Sequence, residues 1–246
     1  MPAHYARFLI GRQRSTAANR QLGLVLAFVA GAINAGGFLA VQQYTSHVTG
    51  MVSHMADQLV LGHLDLVADA VVAVLAFLCG AMVCALLINF ARRKDLSSEY
   101  ALPLLLEAVL ILCFGLLGAQ LAHFKTLLVP FTVVLLCFIM GLQNAIVTKL
   151  SNAVIRTTHM TGIVTDLGIE LGKLVYWNRD PDLGRAVRAD RDRLKVLVGL
   201  LLCFLVGGIT GALGFKLVGY AFTIPMALLL AFMAAVPAID DMQQRG

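Results

Sequence analysis

Charge is scarce in this chain of 246 residues. Asp, Glu, Lys and Arg make up 13% of it, where an ordinary soluble domain carries about a quarter. Several reactive-site patterns are missing too. There is no glycine-rich phosphate loop, no Gly-x-Ser-x-Gly elbow and no His-Glu-x-x-His pair. The sequence therefore lacks the common signatures of nucleotide binding, serine hydrolysis and zinc proteolysis. The five cysteines, Cys79, Cys84, Cys113, Cys137 and Cys203, form no Cys-x-x-Cys pair and all lie in apolar stretches. They read as buried thiols acting as small apolar residues, which argues against a disulfide framework or a zinc centre. No cofactor is implied. The formal net charge of +5 is no nucleic-acid signal either. The basic residues sit in loops between apolar segments, where they set topology.

What the chain has in abundance is apolar surface. Hydrophobic residues reach 59% and the mean hydropathy is +0.85. A small soluble domain cannot hide so much, because it keeps much of its chain exposed. The expected partner is the lipid bilayer. The expected fold class is all-α: a polytopic membrane protein with about six transmembrane helices and two short re-entrant or interfacial helices. Six apolar stretches approach the length of about 20 residues that a crossing helix needs. They are Leu22–Val41, Leu66–Phe90, Ala101–Leu121, Leu127–Val147, Val196–Phe215 and Leu217–Pro237. None alternates as a barrel strand would. Thr45–Leu64 and Thr157–Tyr176 are half polar and ambiguous.

The lysines and arginines choose between models. If the two ambiguous segments do not cross, 17 basic residues fall on the cytoplasmic side and only Lys125 and Lys216 outside. If both cross, the split is 13 to 6. The positive-inside rule favours six crossings. Both termini are then expected on the cytoplasmic side. The start of the chain resembles a signal peptide, but cleavage would remove half of the repeat described next, so Leu22–Val41 reads as a retained span.

The chain contains itself twice. Thr45-Ser46-His47-Val48-Thr49-Gly50-Met51-Val52-Ser53 matches Thr157-Thr158-His159-Met160-Thr161-Gly162-Ile163-Val164-Thr165, with five of nine positions identical and two more exchanging Ser for Thr. Upstream, Gly31-Ala32-Ile33-Asn34-Ala35 matches Gly141-Leu142-Gln143-Asn144-Ala145. Downstream, Leu61-Gly62 matches Leu171-Gly172, and Gly80 with Ala85-Leu86 matches Gly207 with Ala212-Leu213. The organisation expected is a cytoplasmic segment over 1–21, a first membrane repeat over 22–126, a second over 127–237 with a basic cytoplasmic loop at 177–195, and a tail over 238–246. Three spans per half would make the repeats inverted, an architecture of secondary transporters and channels. The two Thr-x-His-x-Thr-Gly segments would then dip in from opposite faces and meet near the midplane. Four spans per half would make the repeats parallel.

These residues resemble a family. Gly141-Leu142-Gln143-Asn144-Ala145, followed by Thr157-Thr158-His159-Met160-Thr161-Gly162 and Asp166-Leu167-Gly168, looks like the signature of the YoaK family of bacterial inner-membrane proteins of unknown function. The resemblance covers nearly the whole chain. The first half departs from the pattern, which has an Asp-Ala pair where Asn34-Ala35 stands and an Asn where Met51 stands. The resemblance implies a location in the bacterial inner membrane and no established activity.

Polar residues at membrane depth are expensive, so they are site candidates. Those expected to line a solute site are Asn34, His47, Thr49, Gly50, Asn144, His159, Thr161 and Gly162. Glycine permits a helix break, hydroxyls satisfy the backbone groups it frees, and half-helix ends aim partial charge at a ligand. The plainer alternatives are a hydrogen bond between the halves for the asparagines, ordinary helix caps for the threonines and structural roles for the histidines. A second set suggests proton or cation coupling. His54 and Asp57 share a helix face, as do Asp166 and Glu170, whose like charges repel and call for a cation or a raised pKa. Glu107 lies inside the third span, where it could reach the cytoplasmic edge or pair with Arg92 or Arg93. The alternative for these is a solvated polar face. No histidine spacing suits a metal. The function expected is a small secondary transporter or facilitator for an unidentified polar solute or ion, not an enzyme. The alternative is a non-transporting scaffold or sensor. Homo-oligomerisation is left open, and the chain carries no ATP-binding part.

Overall fold

The computed structural model describes residues 16–96, 99–121, 124–150, 160–176 and 187–245, and among them it holds helices and no strand. Helix α1 is Thr16–Val41, α2 Val48–Leu61, α3 Leu64–Arg93, α4 Ala101–Gln120, α5 Lys125–Leu150, α6 Met160–Val175, α7 Arg191–Val218 and α8 Thr223–Arg245. A 3-10 turn, Gly219–Phe222, separates the last two. Five segments are long and apolar enough to cross a membrane: Ala17–Val41, Leu64–Arg93, Ala101–Gln120, Thr126–Leu150 and Arg191–Ala235. The protein is thus a polytopic helical membrane protein.

Local chemistry sets the helix ends. Asp190 caps α7, its carboxylate accepting the amides of Asp192 and Arg193 at 3.0 Å each, which satisfies two first-turn donors. At the other end Gly219 takes φ 67°, which glycine adopts without a Cβ penalty. That break corrects the last predicted boundary. Leu217 and Val218 still belong to α7, and helix resumes only at Thr223. The two ambiguous segments are helices of 14 and 16 residues, α2 and α6. At 1.5 Å per residue they reach about 21 and 24 Å, short of a hydrocarbon core of about 30 Å.

Packing follows small residues. Helix α1 runs parallel to α7, its most extensive partner. Along the seam Leu24 meets Gly199, Phe28 meets Gly207, Gly31 meets Phe204 and Gly208, and Ala32 meets Gly211. Helix α3 runs parallel to α5 in the same manner, with Gly80 on Phe138 and Gly141 on Phe77. At each of Gly31, Gly207, Gly80 and Gly141 an added Cβ would overlap a backbone carbonyl oxygen of the partner helix. The backbones therefore touch, as small residues allow in lipid, where dispersion rather than water drives helix association. Helix α1 lies antiparallel to α5. Gln143 Nε2 donates to the Leu26 carbonyl at 3.3 Å, and Gly37 faces Leu136 near the other end of the crossing. Helix α4 packs chiefly on α8. Phe114, Phe215, Tyr220 and Phe222 close one end of the bundle with ring centroids 5.6 to 6.0 Å apart.

Candidate functional site

Helices α2 and α6 position the site. His47 stands before α2 without a side-chain cap, and Thr49 falls inside the first turn. Thr161 likewise lies inside α6, its carbonyl accepting the Thr165 hydroxyl at 2.8 Å. The threonines therefore do not act as the ordinary helix caps considered above. The loop before α2 is tied to α1, because Ser46 Oγ donates to Asn34 Oδ1 at 2.8 Å. Asn144 donates its amide to the Met140 carbonyl of its own helix at 2.8 Å. The bond that links α1 to α5 comes from the neighbouring residue, Gln143. In the sequence Gln143 stood one place from the candidate asparagine, within the quoted motif.

The first turns of α2 and α6 open onto one cavity of about 840 Å³. Asn34 from α1, His47, Thr49 from α2, Asn144 from α5 and Thr161 from α6 all line it. Five of the eight predicted solute-site residues are thus brought together. Gly162 does not line the cavity, and His159 falls outside the described residues. Phe77 of α3 and Phe204 of α7 supply opposing apolar walls, and Thr148 with Lys149 stands at the end of α5. The two phenylalanines each precede a matched glycine, Gly80 or Gly207, by three residues. That regularity was available to sequence reading and was missed. Lys149 had been read only as a topology signal.

A second cavity, of about 500 Å³, lies on the far side of α2. Gly50 and His54 line it with Asp69 of α3 and Pro130 of α5. Tyr44 and His47 line both cavities and so form the partition between them. Tyr44 is stacked on Phe38 at 4.6 Å between centroids. The motif glycine explains the place of His47: a Cβ at Gly50 would overlap the imidazole. Gly50 thus serves the partition rather than the inner cavity wall.

The second set of predicted residues is spread out. His54 and Asp57 are both exposed. Asp166 and Glu170 face α7, and the cation their repulsion called for is the protein's own. Arg193 Nη2 reaches Asp166 Oδ2 at 3.0 Å, and Arg193 Nη1 lies 3.7 Å from Glu170 Oε1. Lys173 Nζ donates to Glu170 Oε1 at 2.9 Å, and the Asp190 amide donates to Oε2 at 2.9 Å. The Lys173 ammonium, the Asp190 amide and Arg193 together hold the Glu170 carboxyl below the usual carboxylate range. The repulsion therefore does not raise it, because hydrogen bonds to the ionised form outweigh burial. Glu107 is fully buried in α4 and pairs with neither arginine. Arg92 instead bonds Glu99 at 2.7 Å. Among the described residues no three His, Cys, Asp or Glu side chains gather closely enough to hold a metal ion.

The model of one protein family, described as "Protein of unknown function (DUF1275)", matches residues 22–236. The chain belongs to this family. The resemblance to YoaK agrees with that, since YoaK is a DUF1275 member. No curated protein and no solved structure matches the chain significantly. The DUF1275 match spans α1 through most of α8, so both walls of the cavity lie within the family domain.

Proposed function

We propose that this DUF1275 protein is a small secondary transporter or facilitator, with the cavity shared by α2 and α6 as its solute site. The observation that carries the reading is the convergence of two motif-bearing half-length helices, by their N-termini, on one cavity. Its volume lies within the range of about 300–1,000 Å³ typical of small-ligand sites. Helix N-termini carry partial positive charge from unpaired amides. Lys149 adds a full one, and among the described residues no carboxylate lines the cavity. A small anion or a polar solute with carbonyl or hydroxyl groups suits it better than a cation.

Six crossings by α1, α3, α4, α5, α7 and α8, with α2 and α6 re-entrant, fit the helix lengths. Two inverted halves fit the packing. The α1–α7 seam and the α5–α3 seam use matched residues, and α1 and α5 run in opposite directions. With the basic ends of the helices in the cytoplasm of a bacterial cell, Lys149 marks an inward opening. Tyr44 and His47 then close the outward path, as alternating access requires.

A thermal-shift panel on the purified full chain tests the solute site, with chloride, sulfate, phosphate, acetate and succinate as probes and choline and arginine as cationic controls. At least one anion is expected to raise the melting temperature, by the equivalent of about 2.7 kcal/mol at a hundred times its Kd. Thr49→Val and Thr161→Val should each abolish that shift without lowering the yield of folded protein. A shift that survives the double substitution refutes the site.

A further inference from the structure

Glu107 is at 0% exposure, and neither of its carboxyl oxygens has a hydrogen-bond partner. It lies on α4 among Leu104, Ala108 and Ile111, all part of the main apolar core. Its surroundings offer little to a charge. The described side chains of α8 over 223–235, the main partner of α4, are apolar apart from Thr223. From α3 the ionisable neighbour is Cys84, within electrostatic range of Glu107. Cys84 is also within range of Lys149 on α5, which stands at the cavity. Tyr220 of the 3-10 turn packs against Gly118, three turns further along α4. An ionised carboxylate without a partner in such a place is strongly disfavoured even after relaxation. A neutral carboxylic acid avoids most of that.

We infer that Glu107 is a proton-binding site in the membrane core, loaded in the arrangement described here and unloaded when water reaches the seam between α3, α4 and α5. On unloading, the carboxyl O–H bond breaks, the proton passes to water, and the carboxylate is left on α4. Cys84 lies between the two sites, within electrostatic range both of Glu107 and of Lys149 at the cavity. Coupling of this proton to solute movement rests on the transporter reading above. The proton site itself does not, and the experiment below reads the proton alone.

The chain has three glutamates, Glu99, Glu107 and Glu170. Glu99 and Glu170 are both ion-paired. Carbon-13 labelling of glutamate therefore gives a nearly specific infrared probe in the full chain reconstituted in lipid nanodiscs. A protonated-carboxyl band is expected at neutral pH, shifted by the label and absent from Glu107→Gln. No such band in the unsubstituted protein, or its persistence in the variant, overturns the inference. Should Glu107→Gln fail to fold, loss of the labelled band at high pH in the unsubstituted protein still decides. A second reading uses Cys84 as the sole cysteine. Its alkylation by a permeant maleimide should rise less steeply than the roughly tenfold per pH unit of thiolate formation alone, because the carboxylate left on Glu107 opposes a second negative charge at Cys84. Glu107→Gln should restore the plain slope. Equal slopes in both proteins refute the unloading step.

Discussion

Helices α2 and α6 begin alike and are anchored differently. Each opens with a Thr-Gly pair, and each delivers its threonine to the same cavity. Yet α2 has no buried residue and lies along α3 by apolar contact, behind the Tyr44–His47 partition. Helix α6 packs less extensively on α7 and is pinned there by charge, through Asp166, Glu170, Lys173 and Arg193. The seams beneath them show no such difference, since Gly31 and Gly207 repeat in Gly141 and Gly80. A common scaffold thus carries two unlike half-length helices. Shallow packing alone holds α2, whereas α6 adds hydrogen-bonded charge to the burial of Ile163 against Ala27, Leu197 and Leu200. On the transporter reading such inequality is needed in any one state, because two equivalent gates would open or close together.

The largest effect should come from breaking the part that is equal. Gly31→Val and Gly141→Val each press a branched side chain onto a carbonyl oxygen of the facing helix. Neither backbone can retreat without opening its seam. Overpacking usually costs 1–3 kcal/mol, and a clash with backbone belongs at about 3 kcal/mol or above. Both variants should lose most folded protein in detergent, measured as the monodisperse fraction on size exclusion. Comparable losses support equivalent seams. Survival of one variant alone would show that the halves differ at their foundation as well as at their gates.

A smaller effect tests the first gate alone. His47→Ala removes the ring that stands between the two cavities, while Gly50→Ala pushes that ring aside. Either should admit an impermeant thiol reagent from the outer face to a cysteine placed at Ala81, which lines the inner cavity. With the native cysteines replaced, labelling should accelerate about tenfold over the same protein with His47 and Gly50 intact. An unchanged rate would mean that His47 is no partition.

Much of this was legible in the sequence and some of it could not be. Helix content, the spans and the doubled motif follow from composition and order, because lipid demands long apolar helices and repeats are visible as strings. The meeting of Asn34, Thr49, Asn144 and Thr161 was expected from symmetry. The double role of His47 was not, because a partition belongs to the space between two cavities and has no pattern of its own. Glu170 was misjudged for a related reason. Spacing on α6 showed its neighbour Asp166, but Arg193 and the Asp190 amide arrive from another helix 20 or more residues away. Glu107 was expected to reach the cytoplasmic edge or to pair with Arg92 or Arg93. Glu99 is closer in sequence to Arg92 and takes it.

The smallest expected effect concerns the anchoring of α6, and pH separates it from that of α2. The Glu170 carboxyl is held below its ordinary value of 4.5, first by Lys173, then by the Asp190 amide and Arg193. In the unfolded chain it regains that ordinary value. Near pH 4.5 the unfolded state therefore takes up the proton first, and stability falls as pH falls. The contribution of Glu170 is complete above about pH 5.5 and declines through the folded-state value below 4.5. Other carboxylates titrate over the same range, so the informative quantity is a difference. The unsubstituted protein should melt a few degrees above Glu170→Gln at pH 7, with that gap constant down to about pH 5.5 and closing toward pH 3. A hydrogen–deuterium exchange map should place the loss in α6 and the start of α7, with α2 unchanged. If the gap stays constant over the whole range, the carboxylate is not what holds α6. If exchange rises in α2 as well, the two elements are not independently anchored, and the contrast between them fails.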